Sequence, residues 1–258
     1  MSKLIDTLNQ EAKDIPQSMG FRATKPTATK PKMLLIASLA HVNSAGHLTE
    51  HITGADAVLI TDTGLEAKSI QQIARSFADI PWGLWLGDIS QKEITRAEEA
   101  GCDFVIFPAD RTLAMPRNSK VGKILQVEKS LSEGLMKAVN ELPLDAVLIA
   151  EEPKKDYFLT WHHLMLYQRF ADLLTKPLLV STPLKITKSE LQILCERGID
   201  GLVVAVEIGE PAGSLKELRQ IIDKLTFPSH RHEKAIALLP RIGEETSLIT
   251  EAEEEEEE

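Results

Sequence analysis

The sequence predicts an α/β chain built as a single (β/α)₈ barrel of the TIM type. Three features carry that reading: eight short, almost wholly apolar runs, amphipathic helical stretches between them, and an Asp that recurs just ahead of every second run. The runs are 33–37, 57–61, 82–86, 104–107, 124–127, 146–150, 178–181 and 202–206. Each is rich in Val, Ile and Leu with no polar alternation, the pattern of a strand covered on both faces in a parallel sheet. Stretches such as LEAKSIQQIARSFAD, SQKEITRAEEAG, TWHHLMLYQRFADLLT and SLKELRQIIDKL lie between them. Strand–helix alternation of this kind specifies parallel βαβ units.

Helix starts fall where crossovers should begin. Thr63–Glu66, Ser90–Glu93, Thr187–Glu190 and Ser214–Glu217 each fit the S/T-x-x-E capping box. The fourth crossover, ADRTLAMPRNSKVG, carries Pro116 and has room for only a turn or so of helix. The segments GADAVLI, GCDFVIF, LDAVLIA and GIDGLVV lead into the second, fourth, sixth and eighth strands. They recur at roughly forty-five to fifty residues, one βαβα unit each. Four such units close a barrel, whereas an open doubly wound sheet would want a G-x-G-x-x-G after its first strand, and none is there.

Domain organisation follows. Residues 1–31 form an extension, with a short amphipathic helix (Leu4, Ile5, Leu8) and a Pro/Thr/Lys-rich linker that either covers one end of the barrel or mediates contacts. Residues 32–227 form the barrel, roughly 195 residues and near the small end for the fold. Residues 228–258 form a C-terminal segment with a poly-Glu tail. The nine acidic residues from Glu244 onward account for nearly all of the net charge of −10, so the barrel itself is close to neutral. A tail of like charges is expected to be disordered. The sequence has no basic patch with interleaved aromatics for nucleic acid, no apolar run long enough to span a membrane, and no secretory signal, so a cytoplasmic chain is expected. Cys102 and Cys195 lie far apart without CxxC spacing and read as buried thiols.

Active sites of this fold lie at the C-terminal ends of the strands. The carboxylates there are Asp62, Asp88, Asp110, Glu128, Glu151, Glu152 and Glu207. In KILQVEK, Gln126 and Glu128 share the face opposite Leu125 and Val127, so both are expected to point into the barrel. An inward Glu128 must be paired, hydrated or metal-bound, and it is the first candidate for an acid/base group. In WGLWLGD, Gly83, Trp85 and Gly87 share a face, and the glycines suit a crowded interior. Trp85 then either walls a pocket or fills the core. Asp62 and Asp88 are further catalytic candidates, or else simple helix-end acids. Lys129 and Lys185 are possible Schiff-base lysines. Among the histidines only His41 lies near the mouth, and no metal-ligand motif is evident.

The segment KPLLVSTPLKITKSELQILCERGIDGLVVAVEIGEPAGSLKEL resembles the last quarter of the aldolase-type, phosphate-binding TIM barrels. The resemblance implies an anion seat at Ser181 and Thr182 and at Gly209, Gly213 and Ser214 at a helix N-terminus. The loop after strand seven lacks a glycine, and Glu207 and Glu210 place negative charge beside that seat.

Three functions are compatible with this pattern. The first is a lyase or isomerase acting on a small phosphorylated or carboxylated metabolite, with Glu128 moving a proton. The second is an Mg²⁺ enzyme using Asp62, Asp88 and Glu128 as oxygen ligands. The third is a non-catalytic binding or assembly module. Cofactor and oligomeric state are not specified by the sequence.

Overall fold

The computed structural model describes residues 2–12, 33–40, 48–61, 67–77, 80–87, 91–110, 120–150, 158–206 and 213–226. After helix α1 (Lys3–Ala12), eight parallel strands follow: β1 (Leu34–Leu39), β2 (Ala57–Ile60), β3 (Trp82–Trp85), β4 (Phe104–Pro108), β5 (Gly122–Val127), β6 (Ala146–Ile149), β7 (Leu178–Thr182) and β8 (Gly201–Val206). Each pairs with the next, and β8 pairs with β1 from Leu34↔Gly201 to Leu39↔Val206, so the sheet closes into a barrel in sequence order. All eight apolar runs are strands, with ends shifted by one or two residues.

Crossover helices are α2 (Leu48–Ile52), α3 (Ala67–Arg75), α4 (Gln91–Glu99), α5 (Glu133–Glu141), α6 (Trp161–Leu173), α7 (Lys188–Glu196) and α8 (Ser214–Ile222). The fourth crossover, with Pro116, lies outside the described residues.

Strand alternation divides the core in two. Leu35, Ala37, Val58, Val105, Leu125, Val147, Val180 and Val204 face the helices. Leu34, Ile36, Leu59, Phe104, Ile106, Ile124, Leu148, Leu179 and Val203 fill the barrel. Helix α1 belongs to the second group: Leu4, Ile5 and Leu8 pack on that inner cluster and are buried. A Cβ added at Gly122, the first residue of β5, would lie 2.6 Å from Ile5 Cγ1. The apolar face of α1 is thus a plug in the N-terminal end of the barrel, one of the two roles its amphipathic pattern left open.

The recurring Asp has a mechanical role. Asp56, Asp145 and Asp200 use Oδ2 to accept the N–H of Leu35, Lys123 and Leu178 at the foot of the preceding strand, each at 2.8 Å. Their own N–H groups donate to the carbonyls of the same three residues at 2.8–2.9 Å. Each Asp therefore clamps an odd strand to the even strand it introduces. Asp103 breaks the pattern. Its N–H donates to the Trp82 carbonyl, but its carboxylate turns to α1 and accepts from Ser2 Oγ at 2.7 Å, Lys3 N at 2.7 Å and Leu4 N at 3.0 Å. One of four equivalent clamps has become the N-terminal cap that fastens the plug.

The capping boxes divide. Thr187–Glu190 is a reciprocal box: Glu190 N donates to Thr187 Oγ1 at 3.3 Å, and Thr187 N donates to Glu190 Oε2 at 2.9 Å. Partial burial raises the Glu190 pKa, but the Thr187 N–H and hydroxyl and the Leu159 N–H outweigh it and hold the carboxyl below its ordinary 4.5. A lowered folded value means the charged form adds stability above about pH 4.5, an advantage lost as pH falls through the folded value. Glu190→Gln is therefore expected to unfold at lower urea than the parent at pH 7 and at nearly the same urea near pH 3. The Ser214–Glu217 expectation is corrected: Gly213, at φ 96°, is the N-cap and Ser214 is the first helical residue. Thr63 and Ser90 lie outside the described residues. A box not anticipated opens α6, where His163 Nδ1 takes the Glu role and accepts from Thr160 N at 3.2 Å.

Candidate functional site at the barrel mouth

The inward residues change character one layer below the C-terminal rim. Lower down they are sealed: Ile36, Leu59, Ile124, Leu179 and Val203 are buried. One step up each strand, the inward positions become half-buried or open: Ser38, Trp85, Pro108, Gln126 and Ser181 are half-buried and Ala205 is exposed. The outward neighbours of Ser38, Gln126, Ser181 and Ala205 at that height, such as Leu39, Val127, Thr182 and Val206, stay buried. A strand whose inner side chains are the wetter ones marks a barrel that opens at this end. Among the described residues, α1 closes one end of the barrel and the other end forms its mouth.

The floor of the mouth carries one well-defined polar contact. Trp85 Nε1 donates to Gln126 Oε1 at 2.6 Å across the barrel interior. The two side chains come from β3 and β5, so this bond spans β4. Gly83 and Gly87 make room for it: a Cβ at Gly83 would stand 2.4 Å from the Phe104 ring, and one at Gly87 would stand 2.8 Å from the Trp85 ring. The expectation that Gly83, Trp85 and Gly87 share the inner face holds. Ser38, Thr61 and Ser181 add hydroxyls at the same end; Thr61 Oγ1 donates to the Leu39 carbonyl at 3.0 Å. The described floor is thus hydrogen-bonding but uncharged.

Two site expectations change. Glu128 is exposed just past the end of β5 and accepts from Ser130 Oγ at 3.0 Å. The premise that it is an inward, buried carboxylate is corrected: the strand ends at Val127, so alternation no longer fixes where Glu128 points. It stands at the rim, two residues beyond Gln126 in the chain. Thr182 is still within β7, so it alternates away from Ser181 and shares the helix-facing side with Leu178 and Val180. Its Oγ1 is buried without a hydrogen-bond partner. Thr182 therefore does not join Ser181 at the inner face. Gly213 and Ser214 sit at the start of α8, on the same end of the barrel, and Gly213 as N-cap supplies no side-chain cap. Asp62, Asp88, His41, Glu151, Glu152, Glu207 and Gly209 lie outside the described residues.

Among the described residues no group of three or more His, Cys, Asp or Glu side chains comes together as a metal site. Both cysteines are buried and neither forms a disulfide. Burial pushes the Cys102 thiol up to about 12, outweighing the backbone hydrogen bonds of Phe104 and Leu84 to its sulfur. Since the thiolate is the reactive form, neither thiol should react with a maleimide at pH 7 until the protein is unfolded in guanidinium. Rapid labelling of the native chain would contradict the burial. No helix among the described residues is long and apolar enough to cross a membrane.

A parallel eight-stranded barrel closed in sequence order, with helices in the crossovers, is a (β/α)₈ barrel of the TIM type. Its fold is similar to that of tryptophan synthase α-subunits. A mutant α-subunit from Pyrococcus furiosus superposes with a TM-score of 0.55 at 13% identity, over 74% of this chain and 97% of that one. A ligand-free tryptophan synthase structure from M. tuberculosis gives a TM-score of 0.58 at 12% identity, over 86% and 98%. At such identities the likeness is one of fold alone. No protein-family model and no curated protein matches the chain.

Proposed function

We propose that this protein is an enzyme of lyase or isomerase type that acts on a small phosphorylated or carboxylated metabolite at the C-terminal mouth of the barrel. The observation that carries this reading is the mouth itself: a sealed apolar interior below, and above it an uncharged floor of Trp85, Gln126, Ser38 and Ser181. Such a floor positions a ligand body by stacking and hydrogen bonds. The anionic end of the substrate is assigned to Ser181 and the N-terminus of α8 at Gly213 and Ser214, where first-turn N–H groups and the helix dipole favour negative charge. Glu128, at the rim two residues beyond Gln126, is assigned the proton transfer. The fold likeness to a lyase-bearing barrel agrees with the class of chemistry but does not choose the substrate.

The test is thermal unfolding after EDTA treatment, with inorganic phosphate and a panel of small phosphorylated and carboxylated compounds. A ligand at about 100 times its dissociation constant adds about 2.7 kcal/mol, a visible rise in Tm. The stabilising compound should lose its effect in Gln126→Leu and keep it in Glu128→Gln, which would bind but turn over at least about 100-fold more slowly. Stabilisation by no member of the panel would overturn the assignment.

A further inference from the structure

Trp85 fixes which way the amide of Gln126 faces. An indole N–H donates and never accepts. The 2.6 Å contact therefore admits one orientation of the amide, with Oε1 turned to Trp85 and Nε2 turned away. The neighbours of Gln126 across the sheet are Pro108 on β4 and Leu148 on β6. Neither side chain brings a polar atom to draw the amide round. The indole is itself held, since its ring lies so close to Gly87 that a Cβ there would stand 2.8 Å from it.

Nε2 is what this lock leaves over. It makes no hydrogen bond among the described residues, and it is not sealed from water. With Oε1 engaged by Trp85, a molecule on the floor meets N–H donors at this position. Accepting a bond at the oxygen also polarises the amide and strengthens what its N–H groups donate. The hydroxyls of Ser38 and Ser181 rotate to donate or accept, so they discriminate little. The described floor holds no charged side chain. An ionised inner end would therefore lose water without gaining a counter-charge, whereas a neutral carbonyl asks only for a donor.

We infer that Gln126, held by Trp85, is the specificity-determining residue of the mouth. It selects a ligand whose inner end is a neutral carbonyl (a ketone, an aldehyde or an amide) over one whose inner end is a hydrogen-bond donor such as an ammonium group. Trp85 is a positioning residue in this, acting through the amide it orients. The inference rests on the mouth being the binding site, as proposed above, and adds the polarity of the group that the floor reads.

Gln126→Glu is the decisive variant. It keeps the shape and the acceptor for Trp85 but replaces the free donor with a second carboxylate oxygen. Hydroxyacetone phosphate and 2-aminopropyl phosphate are probes of nearly one shape, with a carbonyl in the first where the second has an ammonium group. Calorimetric titration at pH 8 is expected to show the full-length parent preferring the ketone by about ten-fold or more, the scale of one hydrogen bond, and Gln126→Glu preferring the amine. Trp85→Phe frees the amide to turn and should bring the two affinities close together. The lock is also read without any ligand: the Trp85 indole proton should stay at low field in Gln126→Glu and move upfield in Gln126→Leu. An indole signal that Gln126→Leu leaves in place would overturn the lock. Probes that move the Trp85 signal with one preference in both parent and Gln126→Glu would overturn the polarity and leave the mouth as the binding site. Binding of neither probe would also overturn the inference, and the mouth would fall with it only if the wider panel of phosphorylated and carboxylated compounds failed too.

Discussion

Leu8→Ala is expected to lower the unfolding free energy by about 2–5 kcal/mol, the range for truncating a buried leucine in a core that cannot collapse around the gap. Leu8 is fully buried and packs on side chains that fill the barrel, although it belongs to a ten-residue helix at the extreme N-terminus. An exposed helix in an extension would lose almost nothing by the same change. Urea unfolding followed by circular dichroism distinguishes the two. Asp103→Ala acts on the same joint from the other side by removing the acceptor of Ser2 Oγ, Lys3 N and Leu4 N. Its cost should be about 0.5–2 kcal/mol, the range for losing an N-cap. The two changes meet at one docking surface, so the double variant should lose less than the sum of the singles. Full additivity would show that Asp103 stabilises something other than the plug.

Asp200→Ala is expected to cost about 1–3 kcal/mol, because it strands the Leu178 N–H at the foot of β7 in a buried place. Asp200 is only 1% exposed, so water cannot replace the carboxylate. Asp56→Ala should be milder in its effect on the strand joint but should also release Arg219, whose Nη1 donates to Asp56 at 2.7 Å and to the Met33 carbonyl at 3.0 Å. Amide hydrogen exchange checks the mechanism directly: Asp200→Ala should expose the Leu178 amide, and Asp56→Ala the Leu35 amide. Exchange that quickens evenly over the whole barrel, with no local excess at those two amides, would contradict the clamp.

The strands were legible because a parallel strand is buried on both faces, and eight such runs leave a one-dimensional trace. The Asp period was legible as a repeat but not as a clamp, because each carboxylate reaches a residue about 22 positions back on a neighbouring strand. The diversion of Asp103 to Ser2, across 101 positions, leaves no trace in the sequence at all. Amphipathicity showed that α1 has an apolar face but not what covers it. At the mouth, alternation placed Gln126 and Trp85 correctly because both lie inside strands. It failed for Glu128, which lies one residue past the end of β5, whereas the seat that the resemblance implied at Thr182 ran against alternation, since β7 includes Thr182 and turns it outward. A one-residue difference in where a strand ends reverses the direction of a side chain. The α6 box was missed because His163 replaces the usual Glu at its third position.

The most direct test of the account of the mouth is the indole N–H spectrum of the ¹⁵N-tryptophan-labelled protein during titration with the compound that raises Tm most. Trp82, Trp85 and Trp161 give one signal each, and only Trp85 stands on the floor of the mouth, bonded to Gln126. The account predicts that the Trp85 signal shifts in a saturable way while Trp82 and Trp161 stay in place, and that Gln126→Leu abolishes the response. A ligand that stabilises the protein while moving Trp161, or while leaving Trp85 untouched, would place the binding site elsewhere and contradict it.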